Sequence, residues 1–118
     1  MPEFSEETKQ DLVQLQNLQR QLQLIVNQKQ RFELELVQAD NALAELEKAS
    51  SRVYKTIGPV LIESKPAEVK KELNEKRETI NARVDSLKKQ EDRMKVKSDE
   101  LQKKLEKVLG VPGQAKAG

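Results

Sequence analysis

The chain has 118 residues, of which 36% are hydrophobic, 36% are charged and only 3% are aromatic, and its formal net charge is +2. Because it contains no cysteine, histidine or tryptophan, it cannot form a disulfide, a thiolate or imidazole metal site, a Ser-His-Asp triad or a cysteine nucleophile. We therefore expect no metal ion, no other cofactor and no enzymatic activity. The scarcity of aromatic residues also argues against one bulky globular core.

The first residues show neither the basic nor the apolar segment of a secretory signal, and no stretch approaches the ~20 apolar residues that span a membrane. The absence of cysteine is compatible with a reducing compartment. The sequence predicts a soluble, cytoplasmic protein with no membrane contact.

Apolar residues recur with a seven-residue period from Gln14 onward, which predicts a coiled-coil helix over residues 5–50. Ser5 is the predicted N-cap, and Glu6 and Glu7 place negative charge at the positive end of the helix dipole. The a positions of the heptad are Leu15, Leu22, Lys29, Leu36, Leu43 and Ser50, and the d positions are Leu18, Ile25, Phe32, Ala39, Leu46 and Val53.

A short β-hairpin is predicted over residues 52–63, where two β-branched runs flank Gly58 and Pro59. Glycine suits the positive φ at the first central position of a type II′ turn and proline is compatible with the second, although a longer loop is an alternative. The apolar residues Val53, Tyr54, Ile57, Val60, Leu61 and Ile62 occupy both faces of the strands. Because an isolated two-stranded hairpin is marginally stable in water, another surface must cover it.

A second helix is predicted over residues 65–109, with Pro66 in its first turn and Gly110 at its end. Every seventh residue from Leu73 to Val108 is apolar, and the two heptad frames fit each other when the helices run antiparallel about Gly58. The predicted fold is one all-α dominated domain over residues 1–118. It consists of a long antiparallel two-helix coiled coil with the hairpin at the connection, followed by a flexible tail over residues 110–118.

The pairing worsens towards the free ends of the helices, where Asp11 would face Leu105 and Thr8 would face Val108. We expect the helices to splay there and to expose apolar side chains that bind other molecules. The candidate residues are Phe4, Leu12, Val13, Leu105, Val108 and Leu109. The alternative is that the residues of the second helix simply continue an ordinary seam.

Two segments carry a family resemblance: QLQLIVNQKQ at 21–30 in a glutamine-rich first helix, and VYKTIGPVLI at 53–62, followed by a helix rich in lysine and glutamate. Over residues 5–109 the chain closely resembles the archaeal-type prefoldin beta subunits, and it is similar to the eukaryotic beta-class prefoldin subunits. The segment between the helices is the most specific part of the match.

The resemblance implies a hexamer of two alpha and four beta subunits, in which the hairpins, including Gly58 and Pro59, join an oligomeric β-barrel and the coiled coils hang as tentacles. It implies an ATP-independent holdase that captures unfolded client proteins at the tentacle tips and transfers them to a group II chaperonin. The expected partners are therefore an alpha-type subunit, other beta subunits, clients and the chaperonin.

Two other functions are compatible with parts of the sequence. The lysines of the second helix are typical of a nucleic-acid-binding arm, but acidic residues are interleaved with them and almost no aromatic residue is present to stack on bases. We therefore expect no nucleic-acid partner. A coiled-coil scaffold would make the hairpin an inert turn. Carboxylate pairs such as Asp40 with Glu45, or Glu91 with Asp92, would need a desolvated cleft for catalysis, which two helices do not provide.

Overall fold

The computed structural model describes residues 4–48 and 52–110, which form α1 (Glu6–Lys48), β1 (Val53–Ile57), β2 (Val60–Ser64) and α2 (Pro66–Leu109). The predicted fold class is confirmed: two helices are joined through an antiparallel hairpin. The predicted end of the first helix at residue 50 and the tail over residues 111–118 lie outside the described residues.

Helix α1 begins at a cap that the sequence predicts. The backbone N–H of Thr8 donates to the Ser5 hydroxyl at 3.1 Å, and that hydroxyl donates to the hydroxyl of Thr8 at 3.0 Å. The N–H of Lys9 donates to the Ser5 carbonyl at 3.0 Å. Because the first N–H groups of a helix have no partner within it, these bonds stabilise the first turn.

The hairpin closes through a two-residue loop, which excludes the alternative of a longer one. Ile57 pairs with Val60 and Val53 with Ser64 at the two ends of the ladder. Gly58 has a φ of 58°, and no atom lies within 4 Å of the position that a Cβ would occupy. Glycine is thus favoured by its backbone conformation rather than by lack of space.

The chain divides into two compact units. The hairpin unit consists of Lys29–Ser86. Its core contains Ala39 and Ile80, each 4% exposed. Two ion pairs flank this core: Lys70 Nζ lies 2.9 Å from Glu47 Oε1, and Arg77 Nε lies 2.8 Å from Asp40 Oδ1, the second without a well-aligned hydrogen bond. These pairs show that α1 and α2 run antiparallel within the unit. In the predicted antiparallel pairing about Gly58, Lys70 would face Leu46 and Arg77 would face Ala39. Each cation instead contacts the next residue along α1.

The terminal unit consists of Met1–Gln28 and Leu87–Gly118. Its buried apolar residues are Leu18, Ile25, Leu87 and Leu105, and the polar residues Thr8, Glu91 and Ser98 are buried as well. Every predicted a and d position of α1 within the described residues is buried or half-buried. The heptad frame therefore describes the buried stripe of α1 correctly, although part of the seam is polar.

The expectation that Leu105 is accessible at a splayed end is wrong. Leu105 is only 4% exposed and Thr8 only 5%, while Leu12 is half-buried. The polar residues that pair poorly with an apolar seam are accommodated here, because the Thr8 hydroxyl is bonded to Ser5 and the Asp11 carboxylate is bound by Lys104 at 3.0 Å. Leu105 continues the seam, whereas Val108 and Leu109 remain exposed.

The burial pattern predicts that two identical substitutions in α1 have very different effects on stability. Leu18 is 8% exposed and Leu24 is 67% exposed. Leu18→Ala should lower the free energy of unfolding by about 2 to 4 kcal/mol because it leaves a cavity in the seam, whereas Leu24→Ala should change it by less than about 0.5 kcal/mol. Urea unfolding followed by circular dichroism measures both. Equal losses would show that the seam runs elsewhere on α1.

Candidate functional site

The hairpin carries an exposed apolar surface. Its members are large side chains that no residue of the described chain covers fully: Tyr54, Ile57, Val60, Leu61 and Ile62, with Leu61 the most exposed at 67%. We call these five residues the hairpin surface. All five were predicted as assembly residues, and clusters of exposed apolar side chains are typical of interaction sites.

The strand register distributes the hairpin surface over both faces of the sheet. Ile57, Val60 and Ile62 share one face with Val53, and Tyr54 and Leu61 lie on the other. Towards α2 the first face is partly covered, since Val53 and Ser64 are half-buried. The first face therefore remains accessible mainly near the turn, whereas on the other face Tyr54 is exposed far from the turn as well.

An ion pair fixes one strand against α2. Lys55 Nζ donates to both carboxylate oxygens of Glu72, at 3.0 and 3.1 Å. On the opposite face, Arg52 Nε lies 3.4 Å from Glu63 Oε1. The first pair orients the hairpin on α2 and the second joins its two arms. Neither pair shields the apolar residues of the hairpin from water.

The backbone adds hydrogen-bonding capacity to this surface. Because Ile57 and Val60 flank a two-residue loop, they form a hydrogen-bonded pair, and the alternate residues turn their N–H and C=O groups outward. On β1 these are Tyr54 and Thr56, and on β2 they are Leu61 and Glu63. Within residues 4–48 and 52–110 no third strand pairs with either edge. The hairpin can therefore accept further strands on both sides.

Four further exposed apolar side chains lie in the terminal unit, two near the start of α1 and two at the end of α2. Phe4, Val13, Val108 and Leu109 are exposed, at 39%, 56%, 55% and 37% respectively. We call these four residues the end surface. Lys104 bonds to Glu7 and Asp11, so the last turns of α2 lie beside the first turns of α1. Of the six residues predicted here, Leu105 is buried instead and Leu12 is half-buried.

Sequence reasoning missed the ion cluster that holds this end together. Lys104 Nζ lies 2.9 Å from Glu7 Oε1 and 3.0 Å from Asp11 Oδ2. Hydrogen bonds to Glu7 and then to Asp11 raise the pKa of Lys104 above its ordinary value of 10.5. One signal for this cluster was present in the sequence. Glu7 and Asp11 lie four residues apart on one face of α1, opposite the predicted position of Leu105 and its neighbour Lys104.

Two of the acidic side chains considered above for catalysis, Asp40 and Glu91, lie in ion pairs in the described residues. The described residues contain no group of acidic side chains that could hold a metal ion. Asp40 is exposed and ion-paired with Arg77, and the covered Glu91 is paired with Lys95 at 3.3 Å. The helices of this part of the chain also lack any segment that is long and apolar enough to cross a bilayer.

Comparison with known proteins supplies the family. A family profile described as prefoldin subunit matches residues 9–111. The crystal structure of the prefoldin beta subunit from Thermococcus strain KS-1 superimposes with a TM-score of 0.83 and 36% sequence identity, covering 95% of this chain and 100% of that one.

Curated relatives match a shorter stretch. The prefoldin subunit beta of Thermococcus onnurineus is 42% identical over 59 residues, which are 48% of this chain and 51% of the relative. That of Thermococcus kodakarensis is 46% identical over 55 residues, or 45% and 47% of the two chains. The chain thus spans about half the length of the curated relatives it matches.

The ion pair between Glu47 and Lys70 predicts a measurable pH effect. The hydrogen bond from Lys70, followed by its positive charge, lowers the pKa of Glu47 below the ordinary value of 4.5. A carboxyl group with a lowered folded-state pKa stabilises the folded chain above its unfolded pKa, and this contribution is lost as the pH falls through the folded pKa. NMR titration of the carboxyl carbon should show the lowered pKa in the native chain and the ordinary value in Lys70→Met. The adjacent variant Lys71→Met serves as the control and should leave the pKa lowered.

Proposed function

The chain belongs to the prefoldin subunit family, and on that premise we propose that it is one subunit of an ATP-independent chaperone complex in the cytoplasm. In this proposal the hairpin surface joins the subunits, and the end surface holds non-native proteins until they pass to a group II chaperonin. The observation that carries the proposal is the hairpin surface, which has apolar side chains on both faces and which the described residues leave largely uncovered.

The hairpin has the properties of an assembly element. It offers exposed aliphatic side chains for burial and two strand edges whose backbone groups have no partner strand in the described residues. Added strands would supply hydrogen bonds to the edges, and curling of the enlarged sheet would bury the side chains of its inner face. Closure of several hairpins into a β-barrel would remove the edges altogether. We propose a hexamer of two alpha-type and four beta-type subunits.

The end surface has the properties of a weak, general binding site. Its four side chains are apolar and partly exposed, so they favour contact with the apolar segments that a non-native protein exposes. Such contact needs no nucleotide, and the sequence contains no glycine-rich phosphate-binding loop. Several arms acting on one client would gain affinity through their high effective concentration.

The assembly role predicts that polar substitutions in the hairpin abolish the complex. In Ile57→Ser/Leu61→Ser the replaced residues are 55% and 67% exposed, and in the control Leu34→Ser/Leu24→Ser they are 57% and 67% exposed but lie on α1. The hairpin variant should remain helical yet fail to form the hexamer, because each aliphatic side chain buried on assembly contributes roughly 1.5 to 3 kcal/mol. Native mass spectrometry with an alpha-type subunit measures the outcome. A hairpin variant that assembles as well as the control would refute the role.

The client-holding role predicts that polar substitutions in the end surface reduce the suppression of client aggregation. In Val13→Ser/Val108→Ser the valines are 56% and 55% exposed, and in the control Val37→Ser/Val96→Ser they are 54% and 58% exposed. Both variants should assemble, but only the first should lose most of its suppression of client aggregation, measured by light scattering without ATP. If the two variants hold the client equally well, the binding site lies elsewhere.

A further inference from the structure

We propose that Lys104, Glu7 and Asp11 form an ionic latch that keeps the end of the terminal unit closed over Leu105. Opening of this latch enlarges the apolar surface at the end of α2. Its significance for client binding rests on the function proposed above, but the latch itself is a property of this chain and can be tested without a client.

The cluster connects the two helices at the point where their apolar seam ends. Lys104 extends from α2 to two carboxylates of α1, at 2.9 and 3.0 Å. The side chain of Asp11 is only 14% exposed, although that of Glu7 is 72% exposed. Asp11 is thus held in a largely covered position by a single cation, and a covered carboxylate without its partner is unfavourable.

The predicted seam is partly polar at this end. In the predicted pairing Leu105 faces Asp11 and Val108 faces Thr8, so both partners are polar, although Leu105 is buried. Val108, the next apolar heptad position of α2, is 55% exposed. The last turns of a helix open more easily than its middle, so closure here depends on the ion pairs more than it does elsewhere in the seam.

Opening of the latch would add an apolar side chain to the end surface. Leu105, Val108 and Leu109 are spaced by three and four residues and therefore lie on one face of α2. In the closed structure the first of them is 4% exposed, while the other two are 55% and 37% exposed. Release of Leu105 joins them into one apolar stripe. The latch therefore determines whether α2 offers two aliphatic side chains or three.

A cysteine-labelling experiment tests the latch. Because the chain contains no cysteine, Leu105→Cys introduces a single thiol whose reaction rate with a thiol reagent reports exposure at this position. The rate should rise roughly two- to tenfold from low to high ionic strength, since salt weakens partly exposed ion pairs. In Leu105→Cys/Lys104→Glu it should be high at every salt concentration. Val108→Cys provides the exposed reference.

The neighbouring lysine supplies the matched control. Leu105→Cys/Lys103→Glu carries the same change of charge one residue away and should retain the slow, salt-dependent rate. Hydrogen exchange of the amides of residues 101–109, in Lys104→Glu and Lys103→Glu chains that keep Leu105, gives a second measure and should be faster only in the first. Equal rates in the two charge variants by both methods would overturn the latch.

Client assays separate the latch from the proposed function. If the end surface holds clients, Lys104→Glu complexes should suppress aggregation at lower concentration than Lys103→Glu complexes. If labelling shows an open end but neither these variants nor the native complex suppresses aggregation, the latch stands and the proposed function fails. If labelling is unaffected by Lys104→Glu while the native complex suppresses aggregation, the latch fails and the proposed function is supported.

Discussion

The narrow apolar seam between α1 and α2 is the constraint on which the rest of the structure depends. Each helix contributes one stripe of side chains, and in the terminal unit that stripe includes the buried polar residues Glu91 and Ser98. A paired seam of this kind contains little apolar volume, so its stability per residue is low. Ion pairs at the flanks, such as Glu47 with Lys70, orient the helices but contribute modestly because they are exposed to water.

The same constraint explains why the hairpin is left uncovered. A helix whose apolar stripe is already used by its partner has no second stripe with which to pack a sheet. Lys55 attaches β1 to α2 through the carboxylate of Glu72, which is a polar contact, and the apolar side chains near the turn remain in water. Cover for residues such as Leu61 must therefore come from outside the described residues.

The helices and the hairpin could be predicted from the sequence because their signals are local and repeated. The heptad spacing identifies the buried stripe of α1, and the positive φ of Gly58 follows from the chemistry of a two-residue turn. The hairpin surface could be predicted for the same reason, since strand alternation assigns Tyr54 and Ile57 to opposite faces.

The closed end of the terminal unit could not be predicted in this way. Heptad reasoning compares the residues that face each other and finds Asp11 a poor partner for Leu105. The interaction that decides the outcome comes from Lys104, whose long side chain reaches across from outside the seam. Such contacts depend on rotamers and on the relative rotation of the helices, which periodicity does not specify.

The two exposed surfaces depend on each other energetically if the proposed function holds. Association of two molecules costs roughly 4 to 15 kcal/mol in lost translational and rotational freedom. The four side chains of the end surface are already partly covered, and fully burying an aliphatic side chain contributes only about 1.5 to 3 kcal/mol. One terminal unit would therefore hold a client only weakly and release it quickly. Several units on one platform pay the association cost once and can rebind before the client escapes. In the proposed function the hairpin surface would thus make a weak end surface effective, and weakness at each end would keep the client releasable.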